Sequence, residues 1–194
     1  MKLPWTSQAW RVMCRSTIID YWDQKLREKA SSMDSLVFCD VSELSVSKIH
    51  RIWDYAGLNS REVPKAVVNM WFLLGVYHSN SLLFKMKKTS SDQCHCSKDE
   101  VEDIFHIILG CDSYHDIRVP FLSKLTLQNS NLLLFCDKPM VILQAILDPE
   151  SLKLPAEIRE NWKSNHVTYN LTRNYLYNLD RKRTKIIEEL VSPK

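Results

Sequence analysis

The sequence predicts a mostly α-helical fold: one compact helical domain over residues 1–194, with a small Cys/His-rich insertion and a long C-terminal helix. Three observations carry this reading. Bulky apolar residues recur at spacings of three and four in nearly every strong segment, the period that lines one face of a helix. Only three glycines occur, Gly57, Gly75 and Gly110, and each falls where a helical pattern stops. The chain is 45% apolar and 25% charged with a net charge of +3, a balance that excludes a chain held open by self-repulsion. So few glycines also leave no Gly-rich phosphate loop, because neither GxGxxG nor a Walker A sequence can be written from them.

Taken in order, the first helix is predicted from Gln8 to Lys29, capped by Thr6 or Ser7, with Trp10, Met13, Thr17, Ile18, Tyr21, Trp22 and Leu26 on its core face. The second runs from about Val46 to Tyr55 and stops at Gly57. The third starts after Asn59 or Ser60, takes Pro64 in its first turn and buries Ala66, Val67, Met70, Trp71 and Leu74. Residues 78–93 show no sustained period and read as a loop, with a possible short strand at Leu82–Met86. Ser97-x-x-Glu100 is a capping-box pattern that opens a helix carrying Val101, Ile104, Phe105 and Ile108 and closing at Gly110. Further helices are predicted at Tyr114–Leu125, broken or delayed by Pro120, and at Pro139–Leu147.

The last helix, about 156–190, is the longest. Ile158, Trp162, His166, Tyr169, Thr172, Leu176, Leu179, Arg183, Ile186 and Leu190 step along it in a near-heptad rhythm. No segment approaches the ~20 apolar residues of a membrane span, and Met1–Ser7 has no signal-peptide core. The chain is therefore expected to be intracellular, in the nucleus or cytoplasm, with reduced cysteines and no membrane partner.

The six cysteines divide into two groups. Cys14, Cys39 and Cys136 stand alone in apolar surroundings and are expected in the core. Cys94-x-Cys96-x9-His106-x4-Cys111 gathers three sulfurs and one imidazole, the donor set of a tetrahedral zinc site. This CCHC subregion covers about residues 90–118: Cys94 and Cys96 precede the predicted helix, His106 projects from it, and Cys111 follows the Gly110 turn. Glu102, one helical turn before His106, is the expected acceptor for the other imidazole nitrogen, against the alternative of a solvated helix carboxylate. His95 and His115 are the alternative ligands.

The stretch from Cys94 to Arg118 resembles the zinc-binding region downstream of the reverse transcriptase in non-LTR (LINE-type) retrotransposons. The residues that carry the likeness are the Cys pair, the acidic step Glu102-Asp103, His106, Cys111, and the trailing Tyr114 and Arg118. Upstream, Leu73-Leu74-Gly75-Val76-Tyr77 is similar to a segment that precedes that family's finger. The match covers about residues 66–125. It departs from the family pattern in having one residue between the first cysteines, Ser97 in place of a glycine, and Asp112 where proline is common. The resemblance implies zinc as cofactor and engagement of RNA or DNA as role, with polymerase activity confined to a parent polyprotein.

Catalytic residues for such chemistry are missing from the chain. No Asp-Asp pair occurs to hold two catalytic magnesium ions. Asp148, Glu150 and Lys153 contain nuclease residue types in the wrong arrangement. Cys39 or Cys136 with His50 or His166 lacks any recognised nucleophile signature, and four protein ligands leave zinc closed to substrate. The expectation is a non-catalytic, nucleic-acid-binding module. Residues 159–194 carry a balance of +4, and Arg118, Arg181, Lys182, Arg183 and Lys185 are the candidate phosphate contacts, with Tyr169, Tyr175 and Tyr177 as candidate stacking partners, although Tyr169 lies on the heptad face and is expected in the core. The bland alternative for the basic run is a solvated helix end, where cations are favoured. The alternative function is a helical protein-interaction domain with a purely structural zinc, docking through Leu176, Leu179 and Ile186 of the last helix.

Overall fold

The structure, a computed structural model, describes residues 6–57, 59–96, 99–149, 151, 153–162 and 166–191. Its α-helices are α1 (Ser7–Ser31), α2 (Arg51–Ala56), α3 (Val63–Leu73), α4 (Asn80–Lys85), α5 (His115–Gln128), α6 (Pro139–Leu147), α7 (Ala156–Trp162) and α8 (His166–Val191). Short 3-10 turns and one π-helical turn connect them. Extended pairing among the described residues is a single antiparallel bridge between Gln93 and Val101. No helix among these residues is long and apolar enough to cross a membrane.

The mostly α prediction therefore holds, and α8 forms its axis. The predicted near-heptad face of α8, from Tyr169 through Thr172, Leu176 and Leu179 to Arg183, is buried against α3 and α5. α3 contributes Ala66, Phe72 and Leu73, α5 contributes Phe121 and Leu125, and α6 adds Leu143, Ile146 and Leu147. Phe121 and Tyr175 stack with centroids 3.8 Å apart and planes within 4°. Local signals set the helix ends as predicted at several points: the Thr6 hydroxyl accepts from the Ala9 amide at 3.2 Å, Pro64 stands in the first turn of α3, and Gly57 ends α2 at φ +55°. Gly75 has φ +66°, and a Cβ there would lie 2.2 Å from the Ser35 carbonyl oxygen, so this close approach admits only glycine.

Several expectations are corrected. The second helix starts at Arg51 rather than Val46, because the Asp23 carboxylate accepts from the Val46 amide at 2.7 Å and the His50 ring caps Ile52 at 3.3 Å. Leu82–Lys85 belongs to a helix instead of a strand, with Met86 as its C-cap: Ser79 caps the start of α4 by accepting from Leu82 at 3.3 Å. The capping-box helix does not form as read. Ser97 and Lys98 lie outside the described residues, and helix begins only at Ile104. Pro120 sits within α5 without breaking it. The long last helix is described as α7 and α8, with residues 163–165 and the side chains of Trp162 and His166 outside the described set.

The largest correction concerns α1. Its predicted core face is turned outward: Trp10, Ile18, Tyr21 and Trp22 are each more than half exposed, and Ala30 is its buried residue. Of the three isolated cysteines, Cys39 is in the core, Cys14 is half-buried and Cys136 is exposed.

Candidate metal centre

Two short segments build the Cys/His cluster. In the first, the Cys94 amide donates to the Glu100 carbonyl and the Glu102 amide donates to the Asp92 carbonyl, each at 2.8 Å, which draws residues 92–94 and 100–102 side by side. That pairing uses the backbone groups a helix would need, and it is why the capping-box pattern does not make one. The second segment is a π-helical turn, His106–Gly110, entered through Ile104 and Phe105. On a regular α-helix residues 106 and 111 would stand about 140° apart. The wider turn, closed by the Cys111 amide on the His106 carbonyl at 2.6 Å, brings both to one side. The Asp103 carboxylate caps this turn by accepting from the His106 amide at 2.7 Å.

The four predicted ligands converge. Cys94, Cys96, His106 and Cys111 place their donor atoms within 4.8 Å of one another. Cys94 Sγ and Cys111 Sγ are 3.6 Å apart, and Cys96 Sγ is 3.4 Å from His106 Nε2. A disulfide needs about 2.0 Å, so the sulfurs are free thiols. His106 and Cys111 are buried while Cys94 and Cys96 are half-buried. Each of two sulfurs takes the amide two residues on: Cys96 to Cys94, and Ser113 to Cys111. The contact between the two sulfurs holds the Cys111 thiol down, to about 5, and raises that of Cys94, where burial adds to the rise. Three sulfurs and an imidazole nitrogen at these separations can hold one metal ion. The alternative ligands His95 and His115 are both exposed and outside the cluster.

Glu102 does not serve the role expected of it. The imidazole Nδ1 meets Glu100 Oε2 at 2.8 Å instead. Glu102 turns the other way and is only 1% exposed. Its Oε1 accepts from the Asn80 amide at 3.0 Å and from Arg183 Nε at 3.0 Å and Nη2 at 2.5 Å. Asn80 in turn donates from Nδ2 to the Gln93 carbonyl at 2.7 Å. The Arg183 guanidinium lies over the Tyr77 ring, whose hydroxyl donates to Asp180 at 3.2 Å. Burial works against the Arg183 charge, and Glu102 together with Tyr77 and Tyr114 more than offsets it. The segment around Glu102 is thereby fastened to α8. Asn80 gave no signal in the sequence and Glu100 was read there as the acid of a capping box, while Asp103-x-x-His106 is a legible capping interval.

The candidate phosphate contacts are not brought together. Arg118 is buried and donates from Nη1 to the Cys111 carbonyl at 2.7 Å, so it positions a ligand residue. Arg183 is buried in the Glu102 pair, and Lys182 is paired with Asp116. Arg181 and Lys185 are exposed. Tyr169 and Tyr175 are core residues, the latter donating to the Ile108 carbonyl at 2.6 Å. The docking face proposed for the last helix is likewise occupied, since Leu176 and Leu179 are fully buried and Ile186 packs against the core. For the nucleophile idea, burial pushes the Cys39 thiol up, away from a thiolate. Compared with known family models, curated proteins and solved structures, the chain matches none.

Proposed function

We propose that this chain is a non-catalytic, zinc-stabilised binding module. The observation that carries the reading is the convergence of three sulfurs and a His106 ring nitrogen, all within 4.8 Å of one another. With Zn–S of about 2.3 Å and Zn–N of about 2.0 Å, tetrahedral edges are about 3.8 Å between sulfurs and about 3.6 Å between sulfur and nitrogen. The separations of 3.6 Å and 3.4 Å need only a slight expansion. All four positions are filled by protein, which supports a structural rather than a catalytic ion. The ion's contribution is to tie the segment carrying Cys94 and Cys96 to the π-helical turn, and through Glu102 and Arg118 to α8 and α5. Purified protein is expected to carry about one zinc per chain and to lose helicity with a chelator. Metal analysis that finds no stoichiometric zinc sinks the reading.

The second reading keeps the role implied by the resemblance to the retrotransposon zinc-binding region, nucleic-acid engagement. It is supported by the exposure of Arg181 and Lys185 on α8, with Tyr177 as a half-buried stacking candidate. Two phosphate contacts give a shallow salt dependence. Binding of a labelled single strand at low salt that Arg181→Ala with Lys185→Ala weakens is expected under this reading, and no binding at low salt ends it.

A further inference from the structure

α1 is 25 residues long, yet it touches the rest of the fold chiefly through the turns Asp34–Leu36 and Val41–Glu43. Two polar ties hold it there: Arg27 Nε donates to the Leu44 carbonyl at 3.0 Å, and Asp23 accepts from Val46. The opposite side is open, with Trp10 54%, Ile18 58%, Tyr21 54% and Trp22 55% exposed. On a helix, Arg11, Arg15, Ile18, Trp22, Lys25 and Lys29 are spaced by four and three and form one seam. The seam is apolar at its centre and cationic at both ends. Arg11, Arg15 and Lys29 make no ion pair among the described residues, whereas Lys25 holds Glu28 at 3.0 Å. A groove of about 630 Å³ runs beside the N-terminal half, lined by Trp10, Arg11, Cys14, Arg15, Ile18 and Val46.

The charge pattern selects the occupant. A second copy fits poorly, because parallel pairing sets Arg11 on Arg11 and antiparallel pairing sets Arg11 and Arg15 on Lys25 and Lys29. An anionic bilayer takes a helix whose cations border an apolar face, whereas here they stand on it. Single-stranded nucleic acid stacks on free aromatic faces. The seam carries a single aromatic ring, Trp22, and it already meets Tyr21 edge to face at 5.4 Å and 81°. Trp, Tyr and Arg are the side chains that anchor protein interfaces, and guanidinium groups pair strongly with carboxylates. We propose that the α1 seam docks an acidic amphipathic helix of a partner protein, with apolar residues on Ile18 and Trp22 and carboxylates toward both ends. This rests on the reading of the chain as a binding module and names its partner's chemistry.

The test is a display library of helical peptides of about twenty residues, panned on the full chain in its metal-loaded form and counter-selected on Arg11→Glu/Arg15→Glu. These side chains are exposed, so the variant keeps the wild-type circular dichroism. Enriched peptides should be apolar in the middle and acidic at the ends. The best should lose about tenfold or more in affinity for the variant, and for Trp22→Ala, and its Lys-for-Glu counterpart should regain binding to the charge-reversed chain. No enrichment, a neutral or basic consensus, or equal binding by the variant overturns the proposal. So does a sedimenting dimer that Ile18→Glu dissociates, or a loss of oligo-dT binding in the variant with peptide binding unchanged. Zinc is assayed on the same samples: full zinc without peptide binding overturns the docking surface alone, while missing zinc overturns the module reading.

Discussion

The Glu100 carboxylate stands 2.8 Å from His106 Nδ1, while His106 Nε2 faces Cys96 Sγ. One ring nitrogen is thus given to a carboxylate and the other to the cluster, the arrangement that fixes an imidazole's tautomer and raises its basicity as a ligand. Gly110 keeps room for it, since a Cβ at that position would lie 3.2 Å from Nδ1.

Glu100→Gln should therefore weaken metal binding by about 10- to 100-fold without unfolding the chain, because the Glu100 side chain is 52% exposed. Competition against a chromogenic chelator measures this. Unchanged affinity would mean that Glu100 does nothing for the ring.

Arg183→Met leaves the Glu102 carboxylate buried without its cation, and should cost about 3–5 kcal/mol in denaturant unfolding. The double variant Glu102→Gln/Arg183→Met keeps an acceptor for the Asn80 amide and removes the stranded charge. Its loss should be clearly smaller than that of the single variant. A double variant less stable than Arg183→Met would contradict the pair as described.

Gly75→Ala forces a side chain into left-handed backbone and against the Ser35 carbonyl. The expected cost is about 2 kcal/mol or more, read as a lowered thermal midpoint.

His50 is held below its ordinary 6.5 chiefly by burial, opposed by Asp148 and assisted by Arg51. A depressed histidine stays neutral in the fold while the unfolded chain takes up a proton below about 6.5. Its contribution to stability is present above that pH and is lost as pH falls through it. His50→Asn retains an N-cap acceptor for Ile52 and removes the titration. Between pH 7.5 and 5.5 the variant should lose less stability than the wild type, and equal slopes would remove His50 from the account.

The sequence made the long helices and the Cys/His cluster legible, for reasons that are physical. α6 and α8 bury one side, so their periods record the packing, and Pro64 and Pro139 mark the starts of α3 and α6; the predicted face of α3 is rotated, with Ala66, Val68, Asn69, Phe72 and Leu73 buried while Val67, Met70, Trp71 and Leu74 are half-buried. Cys94, Cys96, His106 and Cys111 are close in sequence and chemically distinctive. α4 was hidden because six residues are too few to display a period. The assignment of Glu102 to His106 assumed a helix that the Asp92–Glu102 backbone pairing replaces. Arg118 and Arg183 looked like surface charge because nothing local marks a cation whose acceptor is a distant carboxylate or a buried carbonyl. The face of α1 has a core-like rhythm, and periodicity alone does not say whether its partner is the same chain.

The Glu102–Arg183 pair also sets an order of events during synthesis. The ligands span residues 94–111, so the cluster can be gathered as soon as that stretch is free of the ribosome. Glu102 then waits for a cation 81 positions further along. At about 5–20 residues per second this is a delay of roughly 4–16 s, during which its carboxylate must stay hydrated and the segment around it unseated. Metal capture can therefore precede the step that locks this segment onto the body.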